Sequence, residues 1–242
     1  MIQINERTPF YFIASVSLFI TIVLSLQDIF YNNKNYSDYF PNKGYYYGKP
    51  IHDNTIMDKL AYYFSQFTHH TLFLLFFYFF SCLLNYKSEK FFKIIAPIAM
   101  TISVLYFYFL YPRQDRNLYQ LTYSSFYSHF MIIFLIFGEL FYIDGFTINE
   151  TSHCLIFLVT GILVTLINYM IRGVWTYNMV RLDDVKGWAL INQTILIMYF
   201  FSFMFYFFKP KKDDSDIPLW KYAPFYSQLV NIVFVLCYLI YN

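Results

Sequence analysis

Charged residues are scarce in this chain of 242 amino acids. Lys, Arg, Asp and Glu together make up 13% of it, whereas soluble domains carry roughly 25%. Hydrophobic residues make up 58% and recur in long runs over the whole length. This excludes a soluble domain with a single anchor and predicts an integral, multi-pass membrane protein. A formal net charge of +2 indicates no nucleic-acid partner.

Several familiar chemical motifs are also missing. Cysteine occurs three times, at Cys82, Cys154 and Cys237, each in or beside an apolar run and without the spacing of a CxxC or Cys/His metal motif. The sequence has no HExxH motif, no glycine-rich phosphate loop and no GxSxG elbow. We therefore expect no metal and no cofactor, and buried free thiols at the cysteines.

Aromatic residues and long apolar runs are abundant instead, with 31 Phe and 26 Tyr. Seven runs approach the roughly 20 residues that a spanning helix needs. We predict an all-α, polytopic transmembrane helical bundle of six or seven spans, forming a single domain over residues 1–242. The last run is interrupted by Pro224, Gln228 and Asn231, so in the six-span alternative it is an interfacial or re-entrant helix. The runs cover about 10–27, 60–84, 91–111, 119–142, 153–171, 188–208 and 223–241.

Orientation stays open, because Lys and Arg are divided almost evenly between the two membrane faces that these runs define. The membrane in which the protein resides is likewise left open by the sequence.

Polar residues interrupt the second run in the stretch FSQFTHH, residues 64–70. At a rise of 1.5 Å per residue, Thr68 lies ~12 Å below one membrane face, and His129 of the fourth run lies ~12 Å below the same face. On one continuous helix, Ser65, Thr68 and His69 would share a side. The end of the fifth run, the start of the sixth and the loop between them add polar residues at that face: Asn168, Arg172, Asp183 and Asn192.

A hydroxyl beside an imidazole is the simplest pairing of a nucleophile with a general base. Thr68 and His129 could therefore form a catalytic pair. The alternative is structural, because hydroxyls in membrane helices commonly bond to nearby backbone or to neighbouring helices. Glu139, toward the opposite face, is expected either to contact a Tyr or Asn or to lie at the interface near Asp144.

Three segments in a fixed order resemble a known family. They are FSQFT at 64–68, SHFMIIFLIFGELFY at 128–142, and INYMIRGVWTYN…LDD…KGWALIN over 167–192. Together they resemble the androgen-induced-gene family of multipass membrane proteins and its bacterial relatives, over a core of about residues 55–208. The resemblance implies hydrolysis of fatty-acyl esters, with Thr68 as nucleophile and His129 as base. It also implies a supporting or binding role for Arg172, Asp183 and Asn192.

The leading hypothesis is an intramembrane hydrolase of lipid or fatty-acyl esters. Thr68 and His129 are the catalytic candidates, and Ser65, His69, Arg172, Asp183 and Asn192 are the substrate-binding candidates. The expected partners are membrane lipids. The alternative is a non-enzymatic accessory or structural subunit of a larger membrane protein complex, which would add other membrane protein subunits as partners. A transporter is less favoured, because the sequence shows no inverted repeat.

Overall fold

A computed structural model describes residues 6–31, 45–46, 49–50, 56–110, 123–147, 153–172, 175–177 and 181–209. These residues are helical apart from connections and two short antiparallel strands, β1 (Tyr45–Tyr46) and β2 (Lys49–Pro50). The helices are α1 (Thr8–Tyr31), α2 (Ile56–Ser65), α3 (Phe67–Leu83), α4 (Glu89–Leu105), α5 (Tyr123–Phe126), α6 (Ile132–Leu140), α7 (Cys154–Arg172) and α8 (Val185–Phe208).

The predicted helical architecture is confirmed. Among the described residues, four helical segments are long and apolar enough to cross a membrane, namely Thr8–Phe30, Glu89–Tyr108, Tyr123–Leu140 and Val185–Phe208. Helices α3 and α7 are apolar but shorter. The predicted seventh run at 223–241 lies outside the described residues.

Helix α4 forms the centre of the bundle. Within its membrane-length window 61% of the residues are buried, against 39–44% in the other three long segments. It packs against both α3 and α8, while α1 packs against α3. The outer helices direct large aromatic side chains such as Phe19, Phe134 and Phe207 away from the core, as expected for surfaces that face lipid.

The expectation of one continuous helix through FSQFTHH is wrong, because Gln66 separates α2 from α3. Its backbone is extended, with φ −85° and ψ 127°. Ser65 therefore ends one helix and Thr68 belongs to the next, so they do not share a helical face.

The break frees backbone groups that a membrane environment requires to be paired. His69 Nδ1 lies 2.8 Å from the Tyr63 carbonyl oxygen, and His70 Nε2 contacts the Phe64 carbonyl. Since a carbonyl only accepts, each imidazole donates an N–H here. Both histidines thus have a local structural reason to stand in an apolar stretch.

Two π-helical turns face each other near the same level of the bundle. One, Tyr106–Leu110, continues α4, and the other, Tyr127–Met131, joins α5 to α6. The His129 ring in the second turn stacks on the Tyr106 ring in the first, with centroids 3.6 Å apart and planes 2° apart. A π-turn re-aims the side chains of its helix and often occurs at a functional site.

Candidate functional site: a cavity inside the helical bundle

A cavity of about 90 Å³ lies between α3, α4, α7 and α8. Its wall is almost entirely apolar, and residues from separate helices, including Ile98, Phe157 and Met198, contribute to it. The polar side chains on the wall are Thr68, Thr101, His129, Tyr177 and Thr194. The sequence placed Thr68 and His129 at the same depth below one membrane face, and in the structure both line this cavity.

Two of the polar wall residues are satisfied within their own helices. The Thr101 hydroxyl donates to the Pro97 carbonyl at 2.7 Å, and the Thr194 hydroxyl donates to the Leu190 carbonyl at 2.8 Å. Such back-bonding is the ordinary role of a threonine in a membrane helix. Chemistry in the cavity is thus left to the other three polar side chains.

Thr68 is in the first turn of α3 and contacts a tyrosine from the loop between α7 and α8. The Tyr177 hydroxyl accepts the Phe67 backbone N–H at 3.1 Å. Thr68, the next residue, lines the cavity together with Tyr177. An orphan N–H at the start of α3 is therefore paired with a phenol oxygen at the cavity wall.

Helix α7 fixes the position of this first turn through Gly161. A Cβ atom added at Gly161 would lie 1.7 Å from the Phe67 ring, so only glycine leaves room for that ring. Phe67 also lies against Tyr177, with ring centroids 6.4 Å apart and planes 17° apart. The close approach of α7 to the helix break thus holds the residue next to Thr68.

His129 is 5% exposed and lines the cavity from the π-turn before α6. Its Nδ1 atom has no hydrogen-bond partner among the residues that the structure describes. A buried polar atom of this kind costs about 1–3 kcal/mol when it stays unpaired. An unpaired imidazole nitrogen in an apolar wall therefore requires an explanation, and availability for a ligand or a proton is one.

Two of the predicted binding residues lie at the helix break. Ser65 is buried at the last position of α2. The His69 ring is stacked on Tyr63 at 3.7 Å and is bonded to the Tyr63 carbonyl. Neither is among the described residues of the cavity wall, so their positions support the geometry of the break.

Asp183 and Asn192 are not among the described residues of the cavity wall either. Asp183 forms an exposed ion pair with Arg181 at 2.8 Å, and the Arg181 guanidinium lowers the pKa of that carboxyl. Asn192 is exposed on α8. Arg172 ends α7, and its side chain lies outside the described part of the structure. Within the described ranges, no group of three His, Cys, Asp or Glu side chains is placed to hold a metal ion.

Tyr177 belongs to the polar loop that the sequence placed at this membrane face, but it was not among the predicted catalytic or binding residues. It lies in an aromatic loop, 110 residues away along the chain from the backbone N–H that it accepts. A tyrosine in such a loop is usually read as an interface anchor. The signal that could have found it is its position in a polar loop at the face where Thr68 and His129 lie.

A second polar cluster surrounds Glu139, whose side chain is fully buried. Tyr78 donates to the carboxylate at 2.6 Å, Tyr11 donates at 3.4 Å, and Lys87 Nζ lies 3.2 Å away. The expected contact between Glu139 and a tyrosine is confirmed. This cluster ties α1, α3 and α6 together at the end of α3 that lies away from Thr68.

No known family model matches this chain, and neither curated proteins nor solved structures show a significant similarity to it. The resemblance to the androgen-induced-gene family therefore stays a prediction.

Proposed function

We propose that the protein is an intramembrane hydrolase of lipid or fatty-acyl esters, with Thr68 as nucleophile and His129 as general base. The observation that carries the proposal is the shared cavity: Thr68 and His129 line one small, apolar space inside the bundle. An apolar wall suits the acyl chain of an ester, and a few convergent polar groups suit its carbonyl.

The reaction proceeds in two halves. The Thr68 hydroxyl oxygen attacks the ester carbonyl carbon while its proton passes to the neutral imidazole of His129. The carbon–oxygen bond to the alcohol then breaks, and His129 returns the proton to the departing alcohol. This leaves the acyl group esterified to Thr68.

Water completes the cycle. It attacks the acyl carbonyl, His129 accepts a proton from the water, and the bond to Thr68 breaks as that proton returns to the threonine oxygen. The products are a fatty acid and a free enzyme. The family resemblance points to the same two residues and supports the same assignment.

We further propose that the chain crosses the membrane six times up to Lys209. The four long segments would each cross once, the broken pair α2–α3 would cross together, and α7 would make the remaining crossing. Labelling single introduced cysteines with a membrane-impermeant reagent at the helix ends tests this count. If every crossing forms, cysteines placed before and after one crossing are labelled from opposite sides of the membrane. Labelling of both from the same side contradicts that crossing.

The hydrolase proposal is tested with the full-length protein in nanodiscs and a series of p-nitrophenyl acyl esters. We expect hydrolysis by the wild type and a loss of about 10³-fold or more in kcat for Thr68→Ala and for His129→Ala. Activity that survives both substitutions contradicts the mechanism.

Thr71→Ala is the matched control for the nucleophile. Thr71 lies one turn further along α3, is buried, and donates its hydroxyl to the Phe67 carbonyl at 3.0 Å. It is not among the described residues of the cavity wall, so its loss is expected to affect stability and not turnover. A wild type inactive on every ester, copurifying with a large membrane complex, would favour the accessory-subunit alternative.

A further inference from the structure

The hydroxyl group of Tyr177 lies at the first turn of α3, where it accepts the Phe67 N–H at 3.1 Å. Tyr177 and Thr68, the residue after Phe67, line the same cavity. A phenol has two acceptor lone pairs and one O–H donor. With the Phe67 N–H on a lone pair, the O–H is free to donate to another acceptor.

Hydrogen bonds accepted by the phenol oxygen also strengthen the bond that it donates. Chains of hydrogen bonds polarise one another in a low-dielectric interior, and the partial positive charge at the start of α3 adds to this polarisation. Burial raises the pKa of Tyr177 to about 12, so the group keeps its proton at neutral pH. Tyr177 is thus a neutral, polarised donor on the wall of the cavity.

The position of this donor matches where charge develops in ester cleavage. Attack by Thr68 creates a tetrahedral carbon bonded to the threonine oxygen, and the former carbonyl oxygen becomes an oxyanion on that carbon. Tyr177 is bonded to the backbone N–H of the residue before Thr68 and lines the cavity with Thr68, so its O–H is placed near that oxyanion. Preorganised donors of this kind commonly supply a large part of catalysis in acyl transfer.

We propose that Tyr177 is a catalytic residue that donates a hydrogen bond to this oxyanion; the inference rests on the hydrolase function proposed above. The Phe67 N–H acts through Tyr177, since it holds and polarises the Tyr177 hydroxyl. Phe67, anchored against Gly161, serves as a positioning residue for the same bond.

The test compares Tyr177→Phe with the wild-type protein in nanodiscs on p-nitrophenyl esters. We expect kcat to fall by about 10²–10³-fold with little change in KM, because the bond forms in the transition state. The matched control is Tyr169→Phe, at a tyrosine on α7 that stacks on Trp175 and is not among the described residues of the cavity wall. Its kcat is expected to stay within about 3-fold of wild type.

An inhibitor separates oxyanion stabilisation from a structural role. A trifluoromethyl ketone with the same acyl chain adds the Thr68 oxygen to its carbonyl and forms an oxyanion, whereas the corresponding ether cannot. Tyr177→Phe is expected to weaken binding of the ketone by about the factor lost in kcat and to leave ether binding unchanged. Equal losses for ketone and ether overturn the proposal.

Tyr177→Phe also removes the acceptor of the Phe67 N–H, so the variant can fail to fold. In that case, fluorotyrosine at position 177 preserves the shape and both hydrogen-bonding functions while making the O–H a stronger donor. Tighter ketone binding, measured at a pH where the fluorophenol remains protonated, supports the role, and unchanged binding overturns it.

The outcomes distinguish this inference from the hydrolase proposal. If Thr68→Ala and His129→Ala abolish turnover while Tyr177→Phe retains full kcat, only the role of Tyr177 is lost. If the wild type neither hydrolyses esters nor binds the ketone, the hydrolase function and the role of Tyr177 are both refuted.

Discussion

The two polar clusters of the bundle lie toward opposite ends of the same helices and differ in how they are satisfied. Around Glu139, two tyrosine hydroxyls and one ammonium group surround the carboxylate oxygen Oε1, while Oε2 has no hydrogen-bond partner among the described residues. Around the cavity, His129 Nδ1 has no partner among the described residues, and the adjacent helix is interrupted at Gln66. Both clusters are deeply buried, so burial alone does not separate a structural site from a functional one.

The more useful distinction is what each cluster contributes to the fold. The Glu139 cluster joins three helices through two hydrogen bonds and an ion pair to one oxygen, which is how a buried charge is made tolerable. Each cluster leaves one buried polar atom unpaired, but the cavity cluster combines its unpaired imidazole nitrogen with an empty space, which also destabilises a bundle. Features that cost stability are expected to persist where the activity needs them.

His129→Phe is expected to give the largest difference between the effect on activity and the effect on stability. Phenylalanine keeps the stacking on Tyr106 and removes the buried unpaired nitrogen. We expect ester hydrolysis to fall by about 10³-fold or more, with the free energy of unfolding unchanged or raised by about 1 kcal/mol. Turnover assays and denaturant unfolding in the same detergent measure the two effects. A large loss of stability would show that His129 is a structural residue like Glu139.

Glu139→Ala should give the opposite result. Removing the carboxylate leaves the buried Tyr78 hydroxyl without its acceptor, which typically costs about 1–3 kcal/mol. The protein that does fold is expected to keep a near wild-type kcat, because Glu139 lies away from the cavity wall.

The control for this substitution is Glu89→Ala. Glu89 pairs with the same lysine at 3.3 Å, but both side chains are partly exposed, at 27% and 21%. The expected cost is below about 1 kcal/mol. Similar stability losses for the two variants would remove the distinction between the buried and the exposed pair.

The same substitution, glycine to alanine, can be made beside each of the two polar clusters: Gly161→Ala beside the cavity and Gly138→Ala beside Glu139. An added Cβ lies 1.7 Å from the Phe67 ring at Gly161 and 2.9 Å from the Phe10 ring at Gly138. Overpacking typically costs about 1–3 kcal/mol, and we expect the larger cost at Gly161. Only Gly161→Ala should also lower kcat, because Phe67 precedes the nucleophile. Equal kcat in the two variants would argue against a positioning role for Phe67.

The sequence predicted that the apolar runs form helices and that Thr68 and His129 lie at the same depth below one membrane face. Both predictions use local properties, namely the length of an apolar run and the rise per residue of a helix. It did not predict the break at Gln66, where neither proline nor glycine marks an interruption. That break depends on tertiary contacts, including a hydroxyl 110 residues away and the space left by Gly161. Tyr177 was missed for the same reason, since its role depends on backbone groups that only the break exposes.

The smallest effect is expected at Asp183, a binding candidate that forms an exposed pair with Arg181 outside both clusters. The hydrogen bond from Arg181 lowers the pKa of this carboxyl. A lowered folded-state pKa stabilises the protein above the unfolded value of about 3.9, and that contribution is lost as the pH falls through the folded-state pKa. The ion pair therefore does not make the folding stability depend on pH between about pH 5 and 8.

For Asp183→Asn we accordingly expect an unfolding temperature and a kcat/KM close to wild type at pH 7, since exposed ion pairs contribute little and are screened by salt. Thermal unfolding and ester hydrolysis at low and high salt measure both. A marked rise in KM for esters that carry a polar head would instead show that Asp183 contributes to substrate binding. It would also mean that the functional region extends from the cavity to the loop before α8, beyond the compact set of Thr68, His129 and Tyr177.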